Sequence, residues 1–549
     1  MLRPSSRQSQ RVVRVVSSEH DRSQSHSDDI RARVPAPRRR RRRASVATSA
    51  QRDIYHPTLG APSSTRSAAP SAESSATFWS QDAHNAIAAR LARVEPKGKA
   101  RNVVMFLGDG MSVPTLAAAR TLLGQRQGNN GEETQLFFEK FPTIGLSKTY
   151  CVDAQIADSA CSATAYLCGA KANIGTIGVS AEVPRDHCSA ANDQQRQVHS
   201  IAEWALIDGR DAGIVTTTRV THASPAGAYA HTASRDWESD ADVADSCPEL
   251  SQQDIAFQLV HGHPGDKFKV ILGGGRREFL PQTVVDEEGT EGRRLDGRNL
   301  IEEWQGNKLA RNVSYKYVWN RDQLLDAANE LPEYLLGLFE GSHMQYHMQA
   351  DPVTEPTLAE LTEVAIQSLS RNEKGFFLFV EGGRIDHAHH ENMAHMALDE
   401  TIQLSEAVAR AAELLSEEDS LLVVTSDHAH VMSFNGYTAR GSNIVGPSDS
   451  KGDDGVPYMT LSYGNGPGFR PHSEHGVRHD LLQYDYLDPS FAFEAMVPLE
   501  SETHGGDDVA VFARGPHHSM FSGMYEQNHI PHLMAYAACI GNGPNTCQP

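Results

Sequence analysis

The sequence predicts an α/β fold, a three-layer α/β/α sandwich around one large, mostly parallel sheet. Two observations carry this. Several short runs are continuously apolar and β-branched, as strands buried on both faces are. Helical patterns lie between them, and that alternation builds a parallel sheet covered by helices. The strands are read at "NVVMFLG" (102–108), "GIVTTT" (213–218), "FKVILGG" (268–274), "FFLFVEGG" (376–383) and "LLVVTS" (421–426), with "DVAVFARG" (508–515) near the end. Helical periodicity covers Glu360 to Leu369 and Met393 to Leu415. Residues 434–503, rich in Gly, Ser, Tyr and Pro, break the alternation and read as an insertion on the sheet, not a second core. "GGG" at 273–275 is a strand-end turn without a GxGxxG pattern or a P-loop lysine, so no nucleotide fold is predicted.

Charge divides the chain of 549 residues. Residues 1–75 carry 15 Lys and Arg against 6 Asp and Glu, and the remainder 35 against 64. The front is rich in Ser, Arg, Ala and Pro, holds the run Arg38 to Arg43, and reads as a disordered basic segment. A nuclear signal or nucleic-acid arm is its functional alternative. The acidic body argues against nucleic acid as ligand, since phosphate backbones need basic surfaces. It suits a protein that holds multivalent cations. No apolar signal-peptide core, membrane span or hydrophobic anchor tail is visible. The seven cysteines show no CxxC or CxxH spacing and permit up to three disulfides with one thiol over. "NVS" at Asn312 is an N-glycosylation acceptor in a secreted chain.

In open α/β sheets the site lies beyond the carboxyl ends of the strands. Asp109 follows the first strand, and His222 and Ser224 follow the second. Glu381 and then Asp386, His387, His389 and His390 follow "FFLFV"; Asp427, His428 and His430 follow "LLVVTS". His504 precedes "DVAVFA", the wrong end unless that strand runs antiparallel to the others, as we expect. Any one of these has an ordinary reading as a turn, cap or surface residue; their coincidence at the strand ends points to metal. Carboxylate with imidazole suits Zn²⁺. Asp386 and His390, four apart, face one way on a helical turn. Asp427 and His428 share an ion only if the backbone turns sharply between them. Two such sets side by side fit the two-metal clamp of phosphoryl transfer. Asp109, Glu381 and Ser224 form an all-oxygen group suited to Mg²⁺. In "IADSACSATAYLCG" (156–169), Asp158 or Ser159 caps a helix, or Ser159 is a nucleophile at a helix N-terminus.

The segments "LGDGM", "DSACSATAYLCG", "TTTRVTHASPAGAYAHT", "LGGGR", "GFFLFVEGGRIDHAHH", "TSDHAHVMSF" and "ETHGGDDVAVFARGP" stand in this order. In them the chain resembles the animal alkaline phosphatases, from about Phe78 to Cys547. The resemblance implies a catalytic domain over 76–547 in which 434–503 is a crown-like insertion. It implies one zinc on Asp386, His390 and His504, a second on Asp109, Asp427 and His428, and magnesium on Asp109, Ser224 and Glu381. Ser159 would be the nucleophile of a phosphoserine pathway, Arg235 the phosphate grip, and His222 and His387 the histidines around the metals. Animal members also bind calcium; the matching positions are Glu288, the Phe339 carbonyl, Glu340 and Glu355, where Glu355 replaces the usual aspartate. The implied reaction is hydrolysis of phosphate monoesters with broad specificity. A sulfatase or phosphodiesterase of the same superfamily would share the sheet and metals, but "DSACSAT" lacks the sulfatase Cys/Ser-x-Pro-x-Arg pattern. A non-catalytic nucleic-acid binder using the Arg run is the rival of another class.

The resemblance further implies a homodimer, with the amphipathic segment "TFWSQDAHNAIAARLARV" (77–94) reaching across to the partner, and an extracellular or cell-surface location. It pairs Cys188 with Cys247 and Cys539 with Cys547, and leaves Cys168 a buried thiol. Many members lack Cys151 and Cys161. Cys161 is open to reading as a metal ligand or second nucleophile; we expect instead a Cys151–Cys161 disulfide closing the loop around Ser159. So short a loop gains roughly 2–3 kcal/mol against the unfolded chain, and the bond implies an oxidising compartment.

Overall fold

The computed structural model describes residues 98–188, 193–244, 247, 253–473 and 475–541, with isolated positions 78, 81, 84, 85 and 96. The basic front, most of the segment 77–94 and Cys547 lie outside the described residues.

Ten strands form one sheet. At its centre lie β1 (Asn102–Gly108), β3 (Asp211–Arg219), β7 (Phe376–Gly382) and β8 (Ser420–Thr425). One side continues through β4 (Val270–Gly274) and β6 (Tyr334–Leu338) to β5 (Tyr315–Val318). The other continues through β16 (Val509–Arg514) and β2 (Thr143–Lys148) to β17 (Gly523–Glu526). Every pairing is parallel except those of β16, which runs antiparallel to both neighbours, β2 and β8. The reversal expected for the strand after His504 is therefore present.

Successive residues of a strand point to opposite faces, and β1 divides accordingly between two cores. Val104 and Phe106 pack with Leu116, Leu361, Val364, Leu398 and Ile402 of the helices Val113–Arg126, Leu358–Leu369 and Ala394–Leu414. Val103, Met105 and Leu107 pack with Ala163, Leu167, Ile201 and Met534 of the helices Ser159–Cys168, Ile201–Ile207 and His529–Ala538. Helices thus cover both faces, and β1 and β7 are buried along their whole length.

Residues 434–503 carry small sheets. β10 (Met432–Phe434), β13 (Leu461–Gly466) and β14 (Ala495–Pro498) form one; β11 (Pro447–Lys451) and β12 (Pro457–Met459) form another. Met459, Leu461, Tyr463 and Phe493 join the first of the two cores, so this region shares the core of the main sheet. A short antiparallel pair, β9 (Ala429–His430) with β15 (His504–Gly505), sets His504 opposite His430.

Candidate active site

The strands β8, β1, β7 and β3 are consecutive neighbours, so their carboxyl ends deliver one cluster of side chains. Asp109 follows β1 directly, and Glu381 is the second-to-last residue of β7. Asp386 and His390 follow on the helix Arg384–His390, where one turn brings their side chains within 3.3 Å. After β8 the chain bends so that His428 Nε2 lies 2.9 Å from Asp427 Oδ2, the sharp turn that sharing an ion requires. Ser224 is fully buried on the short helix Ala223–Ala226 after β3.

Ser159 opens the helix Ser159–Cys168, and Asp158 is its cap, accepting from the Cys161 N–H at 3.1 Å. Of the two capping candidates it is therefore Asp158, not Ser159, that caps the helix. Ser159 Oγ lies 3.2 Å from His428 Nε2. Asp158 also accepts from the Gly175 N–H at 3.0 Å and from Arg235 Nη1 at 3.1 Å. Burial opposes the Asp158 charge, yet Arg235 and the two N–H donors hold its pKa below the usual carboxylate range. The other guanidinium nitrogen of Arg235 lies 3.1 Å from His222 Nε2. One aspartate thus caps the serine's helix and orients the arginine beside it.

Among the described residues, and setting aside Cys151, Asp158 and Cys161 because those cysteines are disulfide-bonded, three groups could hold a cation, each with one ligand atom per residue within 4.8 Å of the rest: Asp386, His390, His430 and His504; Asp109, Asp386 and His428; Asp109, His222 and Glu381. Burial, then the carboxylates of Asp427, Asp386 and Glu381, push the Asp109 pKa well above its usual range. Burial likewise raises Glu381 to about 7, although Thr216 and Thr218 donate to it. Neither oxygen of Asp109 nor Glu381 Oε1 has a hydrogen-bond partner. Buried acceptors without donors are costly, so the residues present fit bound cations: mixed N/O sets suit zinc, and the oxygen-rich end suits magnesium.

Three contributors were given no role by the motifs, although His430 was noted among the residues that follow β8. His430 Nε2 lies 2.6 Å from Asp386 Oδ1, and its Nδ1 lies 2.5 Å from Glu502 Oε2. Burial opposes its charge, but Glu502 and Asp386 push its pKa up to about 10. The signal was available: in an extended chain, positions 428 and 430, and 502 and 504, share a face. His343 is the third, its ring 4.2 Å from that of His387 and 5.4 Å from that of His222. It comes from the loop after β6, a strand the sequence reading missed.

Cys151 and Cys161 are disulfide-bonded with Cα atoms 5.8 Å apart, and Cys188 is bonded to Cys247. Cys539 is disulfide-bonded, and Cys168 is a buried thiol. Away from the cluster, the Glu288, Glu340 and Glu355 carboxylates act on one another electrostatically, and Phe339 is buried. Burial, and beyond it the Glu340 and Glu288 carboxylates, push Glu355 up to about 7. Arg276 already supplies Glu288 with a cation, at 3.0 Å. Asn312 is exposed.

Residues 100–540 match the family model described as alkaline phosphatase. The chain belongs to the alkaline phosphatase family. It is 60% identical to a membrane-bound alkaline phosphatase of Bombyx mori over 506 residues, 90% of this chain and 91% of that one. It is 46% identical to the tissue-nonspecific alkaline phosphatase of Homo sapiens over 493 residues, 88% and 93% of the two chains. Among solved structures, the alkaline phosphatase of the Antarctic bacterium TAB5 shares the fold, with a TM-score of 0.56, 21% identity, and coverage of 82% of this chain and 100% of that one. This alkaline phosphatase is therefore a metal-dependent enzyme that hydrolyses phosphate monoesters. No helix among the described residues is long and apolar enough to cross a membrane.

Proposed function

We propose that this phosphatase acts through a phosphoserine on Ser159, with two zinc ions and one magnesium. Asp386, His390 and His504 would hold one zinc; Asp109, Asp427 and His428 the other; Asp109, Ser224 and Glu381 the magnesium. The observation that carries this is the position of Ser159 Oγ, 3.2 Å from His428 Nε2 and on the helix that Asp158 caps while pairing with Arg235. When bound, the metals neutralise phosphate oxygens and lower the pKa of the attacking and leaving oxygens.

The chain's own residues do the rest. The Arg235 guanidinium, steadied by Asp158, can engage two phosphate oxygens at once, which a lysine cannot. The helix N-terminus directs its free N–H groups toward the same anion. Ser159 gives up its proton to solvent as Oγ attacks phosphorus, the bond from phosphorus to the substrate oxygen breaks, and the departing alkoxide takes a proton from water to leave as the alcohol. Water then cleaves the phosphoserine, releasing inorganic phosphate and restoring the hydroxyl. His430, paired with Glu502, holds Asp386 in place.

Further parts of the reading rest on family membership: calcium at Glu288, Phe339, Glu340 and Glu355, glycosylation at Asn312, a homodimer, broad substrate choice, and an extracellular or cell-surface location. The Cys151–Cys161 and Cys188–Cys247 bonds support the oxidising compartment. Stripping the enzyme with a chelator and restoring it with zinc and magnesium tests the metal assignment. Full turnover by a verified metal-free sample contradicts it.

A further inference from the structure

The loop closed by Cys151 and Cys161 does more than carry the serine. Between its ends the chain is held at Val152, whose N–H donates to the Ala172 carbonyl at 3.0 Å, and at Asp153, which accepts from the Ile174 N–H at 2.8 Å. Ala154, Gln155 and Ile156 then run along the surface, and the chain is buried again at Ala157. Cys151, Cys161, Ala157 and Ala172 form a small apolar cluster separate from both main cores. Ala157 thus shares one small apolar cluster with both cysteines of the disulfide. Its carbonyl accepts from His504 Nδ1 at 2.7 Å.

That hydrogen bond decides which nitrogen of His504 carries the proton. With Nδ1–H bound to a carbonyl, Nε2 is left with its lone pair, and Nε2 lies 3.1 Å from His390 Nε2 and 3.4 Å from Asp386 Oδ1. An acceptor behind a ligating histidine fixes its tautomer and aim. β15, which holds His504, is only two residues long, so the ring has little rigid scaffold of its own.

We infer that the Cys151–Cys161 disulfide, acting through Ala157, is a positioning element for His504 and so for the cation that His504 holds. This rests on the reading of His504 as a ligand. The disulfide thus steadies two sides of the site: the nucleophile at one end of the loop and an imidazole against its middle.

The test uses the full chain loaded with zinc and magnesium, and follows zinc release into a chelating indicator dye. In a Cys151→Ala/Cys161→Ala double variant, one of the two zinc equivalents should leave about 10-fold faster or more, the scale of losing a ligand's outer hydrogen-bond partner. The other equivalent should leave at the wild-type rate, which a general loosening of the fold would not produce. If His504→Ala retains both equivalents, the ligand reading itself fails. If His504→Ala loses one and the double variant still releases both at wild-type rates, the inference is overturned. Should the double variant not fold, Ala157→Gly keeps the disulfide and the carbonyl but removes the methyl from the cluster. It should speed loss of the same single equivalent, and unchanged release there overturns the inference as well.

Discussion

Ser159 Oγ lies 3.2 Å from His428 Nε2, and the same nitrogen lies 2.9 Å from Asp427 and 3.5 Å from Asp109. The hydroxyl is thus seated against a cluster of carboxylates and imidazole rather than against a lone base. Replacing it with Ser159→Ala should cut turnover about 1,000-fold or more. Metal content and melting temperature should stay at wild-type values. Turnover surviving within a few-fold would place the nucleophile elsewhere.

Arg235 is paired with Asp158 at 3.1 Å and has its other nitrogen 3.1 Å from His222. Arg235→Lys keeps the charge but loses the planar fork. One charge-assisted hydrogen bond lost is worth about 1.5–3 kcal/mol, so kcat/KM should fall by about 10-fold or more. Inhibition by inorganic phosphate should weaken in parallel. A Lys variant with unchanged phosphate affinity would remove Arg235 from the phosphate site.

Removing metal should change stability as well as activity, because both Asp109 oxygens and Glu381 Oε1 are buried acceptors without a hydrogen-bond donor among the described residues. The stripped protein should melt at a lower temperature than the loaded one, since a ligand that binds only the folded state stabilises it. The gap should widen as zinc is raised. Equal melting temperatures with and without metal would mean that the cluster holds no cation.

Asp399 gives a prediction away from the site. It accepts from His347 Nδ1 at 2.8 Å and from Arg126 at 2.5 Å. The hydrogen bond to Asp399 raises the His347 pKa. A raised histidine contributes stability that is full below its unfolded pKa, about 6.5, and is lost as pH rises through the folded value. His347→Ala should therefore lower the melting temperature more at about pH 5.5 than at about pH 9. A loss that is equal at the two pH values would show that the pair is not charged in the fold.

Much of this was legible because the centre of the sheet is the most strongly patterned part of the chain. β1, β7 and β8 are largely apolar runs, and the candidate ligands follow them within a few residues. β2 was missed because its burial alternates and its residues include Gly, Ser and Lys. β5, at the sheet edge, is mostly half-buried, and β17 is half-buried or exposed. β6, "YLLGL", is buried throughout, but a run of five cannot be told from a buried helical turn by pattern. His430 pairs with Asp386, and Glu502 with His430, where β9 pairs with β15, a long-range register that spacing alone does not fix. His343 needs the position of the loop after β6 for the same reason.

The central claim is that phosphate passes through Ser159. Metal-loaded enzyme mixed with a phosphomonoester, quenched in acid within the first turnovers and mapped by peptide mass spectrometry tests this most directly. One phosphoryl group on Ser159, absent from the Ser159→Ala variant, is the predicted result. A phosphoryl group trapped on any other residue, or a pre-steady-state burst of alcohol with no phosphorylated peptide, would contradict it.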